Sequence, residues 1–171
     1  TFYYTFFGTV GAIVFGILSA QMVNQKFRGR SFIRSTLLFP YVAPVVALAF
    51  TWELLLDPNS GTLNNLLLNY NIIDKPINLL GQKYVSIFVF GYEFKLRLAL
   101  TTVIIFEIWR YFPLAFLFIL ARLQAVPKEL YEAADIDGAG PYTKFMNITL
   151  PQITAVISIL FMIRFIWNFN K

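Results

Sequence analysis

The sequence predicts an all-α integral membrane domain with about four transmembrane helices, on the basis of its composition and its long apolar segments. Of its 171 residues, 58% are hydrophobic and 13% are charged, and the mean hydropathy is +0.65. A soluble domain has an apolar fraction of roughly 45–50%. Aromatic residues make up 18% of the chain, which is typical of lipid-facing surface with Trp and Tyr near the interfaces.

Four segments are long enough to cross a hydrocarbon core of about 30 Å, which takes about 20 residues of helix. The predicted spans are residues 2–23, 32–56, 98–121 and 151–170. The loop after the first span, residues 24–31, carries three positive charges, Arg34 adds a fourth, and there is no acid. Such a loop is typical of the cytoplasmic side. The first span is therefore expected to run from outside to inside.

The segment between the second and third spans is expected to lie outside. Asp57–Gly61 has turn chemistry, and Thr62–Leu68 is predicted to form a short interfacial helix. Tyr84–Phe94 is apolar but too short to span as a helix. A span there would also reverse the side of every later element. We therefore expect an interfacial or partly buried strand-like piece.

Several classes of function are excluded or disfavoured by residues that the sequence lacks. It contains no Cys and no His, which removes disulfides, thiolate chemistry, Cys/His zinc sites and Ser-His-Asp catalysis. No Gly-rich phosphate loop is present, so ATP is not expected to bind this chain. No basic run is interleaved with stacking aromatics, which argues against nucleic acid as a partner.

Both ends are expected to be cut, leaving residues 1–171 as one truncated domain.

The passage from Glu129 to Pro151 is the one strongly polar stretch between two apolar segments. Lys128–Ala134 is good helix-forming sequence with acids early in the first turn. Asp137–Pro141 is expected to end this helix. A second helical run, residues 142–150, is predicted to lead into Pro151 at the start of the last span. The passage is interpreted as a docking element.

Seven residues of this passage resemble the EAA loop of permease subunits of binding-protein-dependent ABC importers. They are Glu132, Ala133, Ala134, Gly138, Ile148, Leu150 and Pro151. The resemblance implies a cytoplasmic EAA loop, residues 125–150, whose short coupling helix sits in a cleft of an ATPase subunit. With Asp137 added, these are the predicted ATPase-coupling residues.

The resemblance covers essentially the whole chain and is closest to the sugar-importer branch, of the maltose and glycerol-phosphate type. It rests on residues 24–30, 38–44, 61–64 and 123–131, and on Trp109 with Pro113. It implies a larger type I permease core in the bacterial or archaeal cytoplasmic (inner) membrane. The implied partners are ATPase subunits that hold ATP and Mg, a second permease subunit, an extracytoplasmic solute-binding protein, membrane lipid and the sugar. Residues 84–97 depart from the pattern.

Charged residues within the spans are candidates for the substrate pathway, because each costs about 2.5–3.5 kcal/mol at the bilayer centre. Glu107 and Arg110 share a helix face, either as a structural ion pair or as part of the sugar path. The resemblance suggests a pathway formed by Tyr41, Glu107, Arg110, Tyr111 and Asn168. Because several positions, including Leu114 and Val45, differ from maltose permeases, another substrate is expected.

Four further residues have open roles. Pro40, Pro44 and Pro113 are either hinges or tolerated kinks. Arg164 lies within the fourth span, where a partner in another helix is expected. The predicted function is translocation of a sugar, oligosaccharide or polyol, without catalysis by this chain. The alternative is a stand-alone secondary transporter or channel.

Overall fold

A computed structural model of the protein describes residues 1–25, 27–89 and 92–170. Lys26 of the predicted basic loop, and Phe90 and Gly91 of the predicted strand-like piece, lie outside the described residues. The elements, in chain order, are α1 (Phe2–Asn24), α2 (Arg30–Val42), α3 (Val45–Leu56), α4 (Thr62–Asn69), β1 (Val85–Val89), β2 (Tyr92–Leu96), α5 (Leu98–Gln124), α6 (Lys128–Ile136), α7 (Pro141–Lys144), a π-helical segment (Phe145–Thr149) and α8 (Leu150–Phe169).

Three helical stretches of the described chain are long and apolar enough to cross a membrane, and α2 with α3 adds a fourth if this bent pair counts as one span. The three are α1, α5 and the continuous stretch Pro141–Phe169. The helix breaks between α2 and α3, where Pro44 disfavours a helical conformation of the residue before it. Pro40 stays inside α2, so of these two prolines only Pro44 coincides with a break of the helix.

The first of two compact units comprises Thr1–Tyr41 and the chain from Ile108 onwards. Its core is a cluster of buried apolar side chains from α1, α5 and α8, which includes Ala20, Phe116 and Ile153. At Gly16 a Cβ atom would lie 2.6 Å from the Cβ of Ala115 and 2.9 Å from the backbone nitrogen of Phe116. Only glycine therefore allows α1 and α5 to approach this closely, as small residues do in membrane helix pairs.

The second unit, Val42–Glu107, contains α3, α4 and the two strands. Its first turn is held by Asp57, whose Oδ1 accepts hydrogen bonds from the backbone N–H of Ser60 (2.7 Å), the Ser60 hydroxyl (2.9 Å) and the backbone N–H of Asn59 (2.9 Å). These bonds, first that of the Ser60 N–H, lower the pKa of Asp57. Asn64 is buried and donates to the carbonyl of Ile77 (2.9 Å) while accepting from its N–H (3.0 Å).

The two strands form an antiparallel hairpin in which Val85 is opposite Leu96 and Val89 is opposite Tyr92. The strand character predicted for Tyr84–Phe94 is therefore confirmed. The third predicted span, residues 98–121, is part of α5, which continues three residues further to Gln124.

The start of the last helix differs from the prediction of two separate helical runs. Residues 141–169 form one continuous helical stretch, with a π-helical turn at Phe145–Thr149. This wider turn lies just before Pro151, whose ring would clash with the carbonyl four residues earlier in a regular α-helix. Pro151 thus lies in the first turn of α8, as predicted, although the helical stretch as a whole already begins at Pro141.

Candidate functional site

Helix α6 contains the EAA residues and is ended by a left-handed glycine. It starts after Pro127, has Glu129 in its first turn, and Gly138 adopts φ +72°. The N–H of Gly138 donates to the carbonyl of Asp135 (3.1 Å), and the N–H of Ala139 donates to that of Ala134 (2.8 Å). This pair of bonds is the Schellman motif. The predicted stop at Asp137–Pro141 is confirmed.

Three side-chain interactions connect the loop to the helix that follows and that helix to α5. The hydroxyls of Tyr131 and Thr149 lie 3.0 Å apart, and Lys144 forms an ion pair with Asp135. At the base of the loop, Nε of Arg122 donates to the carbonyl of Gln152 (3.0 Å). α6 is therefore held at two positions against the helical stretch that leads into α8. These three interactions join residues of different elements, so the sequence pattern does not predict them.

The predicted coupling residues divide into an exposed set and an inner set. Glu132, Ala133, Asp137 and Gly138 are exposed, Ala134, Ile148 and Leu150 are half-buried, and Pro151 is exposed. Leu150 packs against the apolar core of the first unit. The apolar side chains of Leu130 and Ile136 are 43% and 88% exposed. The outer surface of α6 thus combines carboxylates with uncovered apolar groups.

A cluster around Tyr111 joins α2, α5 and α8 within the first unit, with Tyr41, Arg110 and Tyr111 half-buried. Arg164 is 2% exposed, and its guanidinium carbon lies 4.0 Å from the centroid of the Tyr111 ring. The guanidinium carbon of Arg110 is 5.4 Å from the same centroid. Tyr41 meets Tyr111 edge to face, at 6.2 Å between ring centroids. Tyr111 on α5 is therefore one partner of Arg164 in another helix, as the sequence predicted.

The two other predicted pathway residues, Asn168 and Glu107, are buried. Asn168 lies on α8 one helical turn after Arg164 and is fully buried, and neither atom of its carboxamide has a hydrogen-bond partner among the described residues. The hydroxyls of Thr5 and Thr9 on α1 are also buried without a hydrogen-bond partner among the described residues. Glu107, the last residue of the second unit, is 5% exposed. The structure thus brings Tyr41, Arg110 and Tyr111 together. Asn168 lies one turn from Arg164 on the same helix, α8.

Within residues 1–25, 27–89 and 92–170, no group of three or more Asp, Glu, His or Cys residues is placed to hold a metal ion.

The fold is that of the permease core of ABC importers. It superimposes on a bacterial ABC transporter involved in the import of the acidic polysaccharide alginate with a TM-score of 0.75 and 23% identity, covering 95% of this chain and 54% of that one. A second structure, of the alginate transporter in complex with an alginate pentasaccharide-bound periplasmic protein, gives a TM-score of 0.78 and 24% identity, covering 95% and 52%. At these identities the likeness concerns the fold.

Residues 12–171 match the family described as binding-protein-dependent transport system inner membrane component. The chain belongs to this family, and it is a multi-pass protein of the inner membrane. The members of this family are transport subunits.

Curated relatives share about a third of its residues. The inner membrane ABC transporter permease protein YcjO of Escherichia coli (strain K12) is 36% identical over 99% of this chain and 54% of that protein. The trehalose/maltose transport system permease protein MalF of Thermococcus litoralis is 32% identical over 88% and 46%. The sn-glycerol-3-phosphate transport system permease protein UgpA of Yersinia pestis bv. Antiqua (strain Antiqua) is 35% identical over 94% and 48%. The chain spans about half the length of these relatives.

Replacing Tyr111 tests whether its ring stabilises the buried guanidinium of Arg164. We expect Tyr111→Leu to destabilise the protein by about 2 kcal/mol, the value of a desolvated cation–π contact. Tyr111→Phe keeps the ring and should retain most of the stability. The measurement is the midpoint of thermal unfolding in detergent. In an Arg164→Met background the cost of Tyr111→Leu should shrink; an equal cost in both backgrounds would show that the two side chains do not interact.

Proposed function

We propose that this chain is part of the translocation subunit of an ABC importer that carries a sugar, oligosaccharide or polyol across the inner membrane. The observation that carries the proposal is the EAA helix α6, exposed on its outer surface and joined to the start of α8 by the Tyr131–Thr149 and Asp135–Lys144 contacts. A helix presented in this way suits docking into a cleft of another subunit. ATP and Mg would bind that subunit, so this chain needs no catalytic site.

The coupling mechanism follows from these contacts. Closure of a pair of ATPase subunits would press on the exposed residues of α6, among them Glu132. The Schellman turn at Gly138 and the two side-chain contacts would pass the displacement to the start of α8, and Arg122 would pass it to the end of α5. Rigid-body motion of these helices would open the permease cavity alternately to the two sides.

The same proposal covers topology and partners. The spans are α1, the bent pair α2 with α3, α5 and α8, with residues 125–150 in the cytoplasm and the β-hairpin on the outer side. The partners are two ATPase subunits, a second permease subunit and an extracytoplasmic solute-binding protein. The names of relatives that refer to trehalose/maltose and glycerol phosphate support a carbohydrate or polyol substrate.

The substrate path would pass the cluster around Tyr111. Aromatic rings such as Tyr41 and Tyr111 stack on sugar faces, while Arg110, Glu107 and Asn168 supply groups that bond hydroxyls. Asn168 has a fully buried carboxamide without a hydrogen-bond partner among the described residues. Such a group favours a polar guest, because leaving its hydrogen bonds unmade costs about 1–3 kcal/mol.

Two substitutions on the EAA loop test the docking function. Gly138→Val forces a β-branched residue into a left-handed conformation, which strains the end of α6, and Glu132→Lys reverses an exposed charge. Both should abolish ATP-driven sugar uptake while the protein remains in the membrane. Gly140→Val is the matched control, since Gly140 has φ −68° and open space around it. Normal uptake by both loop variants, or uptake without any ATPase subunit, would favour the stand-alone transporter.

A second experiment tests the path at Glu107 and Arg110. Glu107→Gln should change which sugars are carried or their apparent affinity with little loss of protein, because a site that bonds hydroxyls discriminates through groups left unpaired. Glu53→Gln, which removes an exposed acid from α3, is the control and should leave selectivity unchanged. If Glu107 and Arg110 serve only as a structural ion pair, each single change should lower the stability of the fold by about 3–5 kcal/mol. The double change Glu107→Gln with Arg110→Gln would then restore abundance with unaltered selectivity.

A further inference from the structure

A cavity of about 340 Å³ in the first unit is surrounded by cationic side chains. Arg30 and Arg34 of α2 and Lys128 of α6 line it, together with Asn24, Gln124 and Tyr131 and two apolar residues. None of the described residues that line it is acidic. Its volume falls within the range of roughly 300–1,000 Å³ found for small-molecule sites. Three cations around one concave space favour an anion as its occupant.

Arg34 shows that this charge is incompletely satisfied. Its Nε and Nη2 atoms are buried, and neither has a hydrogen-bond partner among the described residues. Buried donors of a charged group are costly when unbonded. A rotation of the Arg34 side chain toward the cavity would let a phosphate accept from these donors, and guanidinium groups bind phosphate in such a bidentate way.

The position of the cavity favours a lipid as the source of the phosphate. Asn24 and Gln124 are the last residues of α1 and α5, so the cavity lies where two apolar helices end. Beside it, the side chains of Phe32 and Ile33 on α2 are 76% and 40% exposed, which suits contact with acyl chains. Basic pockets between membrane helices at the cytoplasmic side bind anionic headgroups.

We propose that this cavity binds the headgroup of an anionic phospholipid from the cytoplasmic leaflet. The leaflet, but not the binding itself, rests on the topology proposed above. Tyr131 lines the cavity and also contacts Thr149. An occupied cavity would therefore hold α6 in place at its first turn, and the transporter would respond to the anionic lipid content of its membrane.

The test measures retention of phosphatidylglycerol against phosphatidylcholine by native mass spectrometry of the intact subunit, purified in neutral detergent. The wild type should retain phosphatidylglycerol selectively. Arg34→Gln should weaken this retention about fivefold and Arg30→Gln with Arg34→Gln about 25-fold, from the usual contribution of each basic residue. Arg28→Gln removes the same charge from an exposed position outside the cavity, and it should change the retention of phosphatidylglycerol less than twofold. Lys128→Gln, at an exposed position, replaces Arg34→Gln if the latter fails to accumulate.

Three results would overturn the proposal. Equal weakening by Arg28→Gln would mean general surface attraction. Competition by inorganic phosphate as strong as that by lipid would mean a site for free phosphate. Unchanged lipid retention with loss of ATPase co-purification would mean that the cavity receives an acidic side chain of that subunit. Because retention is measured in detergent, a wrong membrane orientation would leave these results unaltered and would be detected separately by accessibility labelling.

Discussion

The interior of a bilayer contains no water to bond backbone N–H and C=O groups, so any segment inside it must satisfy those groups by itself. The continuous helices α1, α5 and Pro141–Phe169 meet this constraint. A hairpin of two strands does not, because each of its outer edges leaves backbone groups unpaired. The constraint therefore assigns Val85–Leu96 to the interface or to water, and leaves the turns around Asp57 and Gly138 at the ends of spans.

The same scarcity of water makes each charge within a span a feature that needs a structural solution. For Arg164 part of the solution is the face of the Tyr111 ring, 4.0 Å from the guanidinium carbon. Tyr111 in turn contacts Tyr41, so one aromatic side chain joins residues of α2, α5 and α8 within the first unit. Tyr131 on α6 likewise makes more than one contact. It lines the cationic cavity, and its hydroxyl lies within hydrogen-bond distance of the Thr149 hydroxyl.

Much of this architecture is predictable from the sequence, because its determinants are local. Runs of apolar residues define the helices, Gly138 ends α6, and the short length of Tyr84–Phe94 rules out a spanning helix. The contact of Arg164 with Tyr111 could not be located, because it joins residues on different helices. The π-helical turn before Pro151 depends on how a proline ring is accommodated within a continuing helix. The cavity beside Arg34 likewise arises only when α1, α2, α5 and α6 meet.

Cysteine accessibility tests the central claim, that the loop before α2 and the EAA loop face the cytoplasm while the segment after α3 faces outward. The 171 residues contain no cysteine, so single replacements at the exposed residues Arg28, Glu132 and Asn59 give unambiguous reporters. A membrane-impermeant maleimide should label the first two only in inverted vesicles and the third only in intact cells. Labelling of Arg28→Cys and Glu132→Cys from opposite sides, or of all three from one side, would contradict the account.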